Sequence, residues 1–207
     1  MADMTSDSTA PAPDSAADAV TQTASDAARP DSAPASRAPS APTDADASAF
    51  LDIPVDVRWT DLDAYGHVNN AAMLRLLEEA RIAAFWPAPE EQVALGAPTP
   101  RIALPTSGAG STVHTVIASQ RIEYARQLGY RRDGVLVRLW IPRIGGASLD
   151  VDYQVITRDD PQAAAPYARA RTVVVLVDAS TGKPVRIDED SRARLQRFQA
   201  PALTFRD

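Results

Sequence analysis

From residue 69 to residue 86, apolar side chains return at three- and four-residue steps. Met73, Leu76, Leu77, Ala80 and Ala84 share one face, and Leu74 and Phe85 widen it. This is the pattern of a helix with a broad buried side. Asn69 or Asn70 can cap its start, and Pro87 ends it just past Trp86. Arg75, Glu78, Glu79 and Arg81 lie off the stripe, with Arg75 and Glu79 spaced for an i,i+4 ion pair. So wide a stripe must be covered, and a sheet is the expected cover.

The remaining pattern supplies that sheet. Ile53–Trp59 alternates, with Pro54 near its start, where a missing N–H is tolerated. Further strands are expected at roughly 111–124, 134–143, 148–157 and 167–178. Val135, Val137, Leu139 and Ile141 alternate, as do Leu149, Val151, Tyr153 and Val155. Ile144-Gly-Gly-Ala147 reads as the hairpin turn between them. Val173 to Val177 is continuously apolar, as in a central strand. Thr181-Gly182 marks a turn, and a short helix around 189–198 closes the order. One long helix and about five antiparallel strands predict an α+β layer. Residues 87–110, rich in Pro, Gly and small side chains, read as a loop.

Composition bounds the rest. Residues 1–48 are mostly Ala, Ser, Thr, Asp and Pro, with no aromatic residue and almost no large aliphatic one. Such a segment buries too little apolar surface to offset its ordering entropy, so it reads as a disordered tail ahead of a domain at 49–207. Of 27 acidic and 21 basic residues in the chain, eight and two lie in that tail, which leaves the domain with no net charge. A nucleic-acid ligand is therefore not expected. Cysteine is absent, which excludes disulfides, a thiolate nucleophile and Cys-ligated zinc. No apolar run is long enough to span a membrane, and the N-terminus does not read as a signal peptide, so a cytoplasmic location is expected.

One turn concentrates the chemistry. In Arg58-Trp-Thr-Asp-Leu-Asp-Ala-Tyr-Gly-His-Val-Asn-Asn70, the carboxylate of Asp63 stands seven residues before Asn70, in the first turn of the long helix. A helix start offers unpaired N–H groups and the positive end of the helix dipole. A carboxylate beside such a start forms a site for attack on a carbonyl: one group activates water or attacks, the other polarises the C=O. Alone, the spacing also fits a plain Asx turn before a helix. Asp61 reads as a solvated turn residue. His67 reads as a turn histidine, with side-chain catalysis the lesser alternative.

The 24 residues Arg58-Trp-Thr-Asp-Leu-Asp-Ala-Tyr-Gly-His-Val-Asn-Asn-Ala-Ala-Met-Leu-Arg-Leu-Leu-Glu-Glu-Ala-Arg81 resemble the opening motif of the hot-dog acyl-CoA thioesterases, in the 4-hydroxybenzoyl-CoA thioesterase-like group. The strand order and Val177-Asp-Ala-Ser-Thr-Gly-Lys-Pro-Val185 extend the resemblance over about 50–200. It implies a hot-dog fold, one long central helix wrapped by the sheet, and hydrolysis of acyl-CoA to free acid and CoA. It implies Asp63 as the catalytic base or nucleophile and the backbone N–H of Asn70 as the group that polarises the thioester carbonyl. His67 matches a flanking motif position and is kept among the catalytic candidates. Tyr65, Gly66, Val68, Asn69 and Met73 are the residues expected around the substrate. Met73 stands where the family usually has Tyr, which bears on acyl size. No cofactor is needed, CoA being part of the substrate. A homodimer or homotetramer is implied, with sites between subunits. A hot-dog enoyl-CoA hydratase and a non-catalytic acyl-CoA-binding module are the alternatives.

Other charged residues have plainer readings. His114, in a strand, reads as structural. Glu78 and Glu79 read as surface ion-pair partners of Arg75 and Arg81. Arg126, Arg131 and Arg132 either meet CoA phosphates or form a solvated loop. With two His and no Cys, no metal site is expected. Removing residues 1–48 should leave the melting temperature nearly unchanged in a thermal scan. A loss of several degrees would show that the tail packs on the domain.

Overall fold

The computed structural model of the chain describes residues 49–86, 102, 104, 110–160 and 162–206. The expectation for the tail lies outside them, as does most of the expected loop at 87–110. Five strands, β1 (Leu51–Val55), β2 (Val113–Tyr124), β3 (Val135–Ile144), β4 (Ser148–Ile156) and β5 (Ala168–Asp178), form one sheet. Their order is β1-β3-β4-β5-β2, with every neighbouring pair antiparallel. The long helix α1 (Asn70–Phe85) lies against β1 and β3, and a short helix α2 (Glu189–Gln196) packs on β3. This is the expected α+β layer. Among the described residues, no helix is long and apolar enough to cross a membrane.

Period-two alternation sends one set of side chains toward α1. Leu139, Tyr153 and Ala170 are cross-strand neighbours on that face, and all three are buried. They meet Ala72, Met73, Leu76, Leu77 and Ala80 of α1 in one core. Arg81, expected off the stripe, is buried too, and its guanidinium reaches the Tyr153 hydroxyl at 3.5 Å. Its long apolar stem lets it join the packed face while its head finds polar partners, with Glu78 at 3.6 Å. The 87–110 segment also contributes: Ile102 and Leu104 are buried, and their N–H groups donate to the carbonyls of Ala84 and Phe85 at the end of α1.

The opposite face carries charge in pairs. Asp52 and Arg138 are register partners joined by two hydrogen bonds of 2.7 Å. Asp152 and Arg171 are likewise register partners, at 2.6 and 2.7 Å. A strap at 199–206 crosses this face. Ile141 N–H donates to the Phe198 carbonyl, Trp140 Nε1 to the Pro201 carbonyl and Leu203 N–H to Oδ2 of Asp152. Farther along, the guanidiniums of Arg121 and Arg171 lie over the Phe205 ring at 4.7 and 5.3 Å. The strap and the ion pair together leave Asp152 wholly inaccessible to solvent.

Strand boundaries follow the sequence reading to within a residue or two, with one correction. The alternation places the first strand at Ile53–Trp59, but it spans Leu51–Val55 and gives way to a 3-10 turn at Trp59–Asp61. The loop before β3 comes close to β1 here. Gly134, at φ +66°, would place a Cβ 2.5 Å from the Val55 carbonyl oxygen, so only glycine fits.

Asp152→Ala should cost roughly 3 kcal/mol, because it leaves Arg171 facing a buried site without its partner. That corresponds to a fall of roughly 6–12 °C in Tm for a domain of this size. A thermal melt within a degree of wild type would contradict this account of the sheet's second face.

Candidate active site

The turn that precedes α1 is built from hydrogen bonds to two carboxylates. Oδ2 of Asp61 accepts the Arg58 N–H at 2.8 Å and caps the 3-10 turn. The Asp61 carbonyl accepts the Asn69 N–H at 2.8 Å, which draws the two ends of the turn together. Asp61, expected in solvent, is therefore buried, at 4% exposure. Inside this frame, Asp63 N–H donates to the His67 carbonyl at 2.8 Å and Gly66 N–H to the Asp63 carbonyl at 3.1 Å. Gly66 takes φ +77°, a conformation that side chains disfavour. Oδ1 of Asp63 accepts two backbone N–H groups, from Tyr65 at 2.8 Å and His67 at 3.1 Å. Oδ2 has no hydrogen-bond partner among the described residues.

The helix start completes that side. Asn69 is the cap: its side chain accepts the Ala71 N–H at 2.8 Å, and its carbonyl accepts the Met73 N–H at 2.8 Å. Asn70 is the first helical residue, and its N–H has no acceptor among the described residues. An unpaired N–H at that position is the normal condition of a helix N-terminus.

A second wall comes from the chain after β2. Val68 N–H donates to the Leu128 carbonyl at 2.7 Å, and His67 bridges to Gly129. The Tyr124 hydroxyl donates to the Asn70 carbonyl at 3.3 Å. Partial burial pushes the Tyr124 hydroxyl above the usual tyrosine value. Between the walls is a cavity of about 350 Å³. Asp63, Tyr65, His67, Val68, Asn70 and Met73 line it from the turn and α1. Gly66 and Asn69, also expected here, shape the turn and cap the helix and are not among its lining residues. Tyr124, Gln127 and Leu128 line the other side and had no signal in the sequence.

The charged candidates sort by place. Arg126 lines the cavity, donates to the Ala165 carbonyl and sits 4.1 Å over the Tyr167 ring. Arg131 is held by Asp133 at 2.7 Å and lies 3.7 Å from Asp159. Arg132 is exposed. Glu79 pairs with Arg58 at 2.8 Å, while Arg75 approaches Asp61 at 4.0 Å, so the expected Arg75–Glu79 pair is replaced by contacts to the turn. His114 is exposed near the far end of β2, opposite Val177. At about 3.3 Å per residue it stands on the order of 30 Å along the strand from Tyr124.

A family model for the thioesterase-like superfamily matches residues 57–195. The chain belongs to that superfamily. This hot-dog thioesterase is a thioester hydrolase by family, and the match spans the turn, α1, strands β2 to β5 and all but the last residue of α2. No curated protein matches it in sequence. Among solved structures it is similar to the PA2801 protein of Pseudomonas aeruginosa, a proposed thioesterase, at 27% identity and TM-score 0.52, over 70% of this chain and 95% of that one. It is similar to a thioesterase of Thermus thermophilus, solved with coenzyme A and zinc, at 27% identity and TM-score 0.51, over 73% and 96%. A proposed thioesterase of Bacillus stearothermophilus shares the fold at 24% identity and TM-score 0.55, over 74% and 98%. Among the described residues, no three His, Asp or Glu side chains are grouped to hold a metal ion.

Proposed function

We propose that this thioesterase hydrolyses acyl-CoA, with Asp63 acting at the thioester carbonyl and the Asn70 N–H stabilising the developing oxyanion. One observation carries the reading. Oδ1 of Asp63 is fixed by two N–H donors, while Oδ2 has no hydrogen-bond partner among the described residues, on a residue that lines the cavity together with Asn70. The carboxylate is thereby oriented and still has a free oxygen for chemistry. The similar Thermus thermophilus thioesterase was solved with coenzyme A, which supports CoA as the carrier of the acyl group.

Two routes suit this arrangement. As a base, Asp63 takes a proton from water, and the hydroxide adds to the carbonyl carbon. The tetrahedral oxyanion lies against the Asn70 N–H and collapses with loss of the thiolate, which the proton now on Asp63 neutralises. As a nucleophile, the carboxylate adds directly, the thiolate leaves and water opens the mixed anhydride. In both, a neutral donor placed where negative charge develops lowers the barrier, and no cofactor takes part. The His67 backbone holds the carboxylate in either route. Met73, buried at the cavity wall, bounds the acyl group.

The proposed assembly is a homodimer or homotetramer. β2 is an edge strand, and Val116, Ile117 and Tyr124 on it are exposed. Tyr124 also lines the cavity, so a subunit paired along this edge would wall the site. For residues 1–48 we propose a solubilising tail.

Asp63→Asn should lower turnover by at least about 100-fold in a thiol-release assay across a panel of acyl-CoAs, the range for a positioned acid–base group. Near-wild-type turnover in a folded variant would remove Asp63 from the mechanism. Activity should also fall together with the oligomer on dilution, followed by sedimentation and rate measurements. A stable, fully active monomer at micromolar concentration would contradict the shared site.

A further inference from the structure

Trp59 is unusually open for so large an apolar residue, at 71% exposure. One face of its indole is stacked on Tyr130, with centroids 4.4 Å apart and rings 19° from parallel. Tyr130 is itself part-exposed, at 36%. The pair presents one flat aromatic face to solvent. An exposed aromatic surface of this kind marks a place where something binds.

Both rings stand on the segments that build the cavity. Trp59 belongs to the 3-10 turn that Asp61 caps, four residues before Asp63. Tyr130 follows Gly129, the bridge partner of His67, and is two residues past Leu128, which lines the cavity. Two residues of chain separate the platform from that wall, a span of at most about 7 Å. Two residues farther on, Arg132 is exposed and has no ion pair among the described residues. Its neighbour Arg131 is already neutralised by Asp133. A flat aromatic face with a free guanidinium nearby matches one chemistry: a heteroaromatic base bearing phosphate.

We propose that the open face of Trp59, backed by Tyr130, is a base-stacking subsite for the nucleotide end of coenzyme A, with Arg132 meeting its phosphates. The inference rests on the acyl-CoA reading above and names where the non-reacting part of that substrate is held. The flexible pantetheine arm spans the gap between platform and cavity. Binding energy from this remote end is used to place the thioester carbonyl between Asp63 and Asn70.

The test compares one acyl group carried on coenzyme A and on pantetheine, which lacks the nucleotide. In Trp59→Ala, the ratio of kcat/KM for acyl-CoA to that for acyl-pantetheine should fall at least about fivefold, the low end of what one base stacked on one aromatic ring contributes. The loss should appear in KM. Trp59→Phe, which keeps a stacking face, should restore most of the ratio. Arg132→Ala should lower it in the same direction. A parallel measurement needs no turnover: ADP should quench tryptophan fluorescence in the full-length wild type, and Trp59→Ala should lose that quenching. An unchanged ratio, or an equal loss on both substrates, overturns the subsite. Dissociation of the oligomer in Trp59→Ala also overturns it, since the platform would then be a subunit contact. If the wild type hydrolyses neither thioester yet ADP quenches through Trp59, the subsite stands and the acyl-CoA reading fails. If acyl-CoA is hydrolysed without quenching or a ratio change, the reverse holds.

Discussion

The site depends on two backbone N–H groups, from Tyr65 and His67, that converge on Oδ1 of Asp63. Ordering a flexible turn costs on the order of 1–2 kcal/mol per residue in backbone entropy. The turn offsets that cost with a closed set of hydrogen bonds, and two of these use the carboxylate itself as the organising acceptor. In the proposed mechanism Asp63 thus has a structural and a chemical role in one side chain. Gly66 is what lets the chain curl tightly enough, through its positive φ. The outer frame comes from Asp61, whose side chain caps the preceding turn and whose carbonyl ties down Asn69. Position the frame differently, and the helix start no longer lies beside the carboxylate.

The sheet serves this frame by fixing register. A one-residue slip would send apolar residues to the strap face and charges to the core. Asp52–Arg138 and Asp152–Arg171 form only in the observed register, so they act against slippage. Their net contribution to stability is small, because burial of charge costs nearly what pairing returns, whereas breaking one is costly. With register set, the end of β2 delivers Tyr124 and Leu128 to the second wall of the cavity.

What was legible in the sequence follows from what is local in the structure. The α1 stripe, the Asn69 cap, the Gly145-Gly146 turn and the alternation in β3 and β4 all rest on neighbours a few residues apart. Asp63 was legible for the same reason, since its partners are two and four residues away. The second wall was not, because Tyr124 reaches Asn70 across 54 residues of chain. Asp61 and Arg81 read as surface groups because charge normally stays in water. Their burial is set by partners at Asn69 and Tyr153 that no periodicity reveals. The strap at 199–206 likewise has no pattern of its own and takes its path from Trp140 and Asp152. Met73 is legible in both: it stands where the family usually has Tyr, and it lines the cavity from α1.

The central claim is that Asp63 and the Asn70 N–H act on one carbonyl from two sides. A crystal structure with a non-hydrolysable acyl-CoA analogue, the thioester sulfur replaced by a methylene so that a ketone remains, tests it most directly. The account predicts the ketone oxygen about 3 Å from the Asn70 nitrogen, as an oxyanion donor requires, with Oδ2 of Asp63 facing the carbonyl carbon directly or through one water. A ketone bound away from the start of α1, with Oδ2 turned from it, would contradict the account.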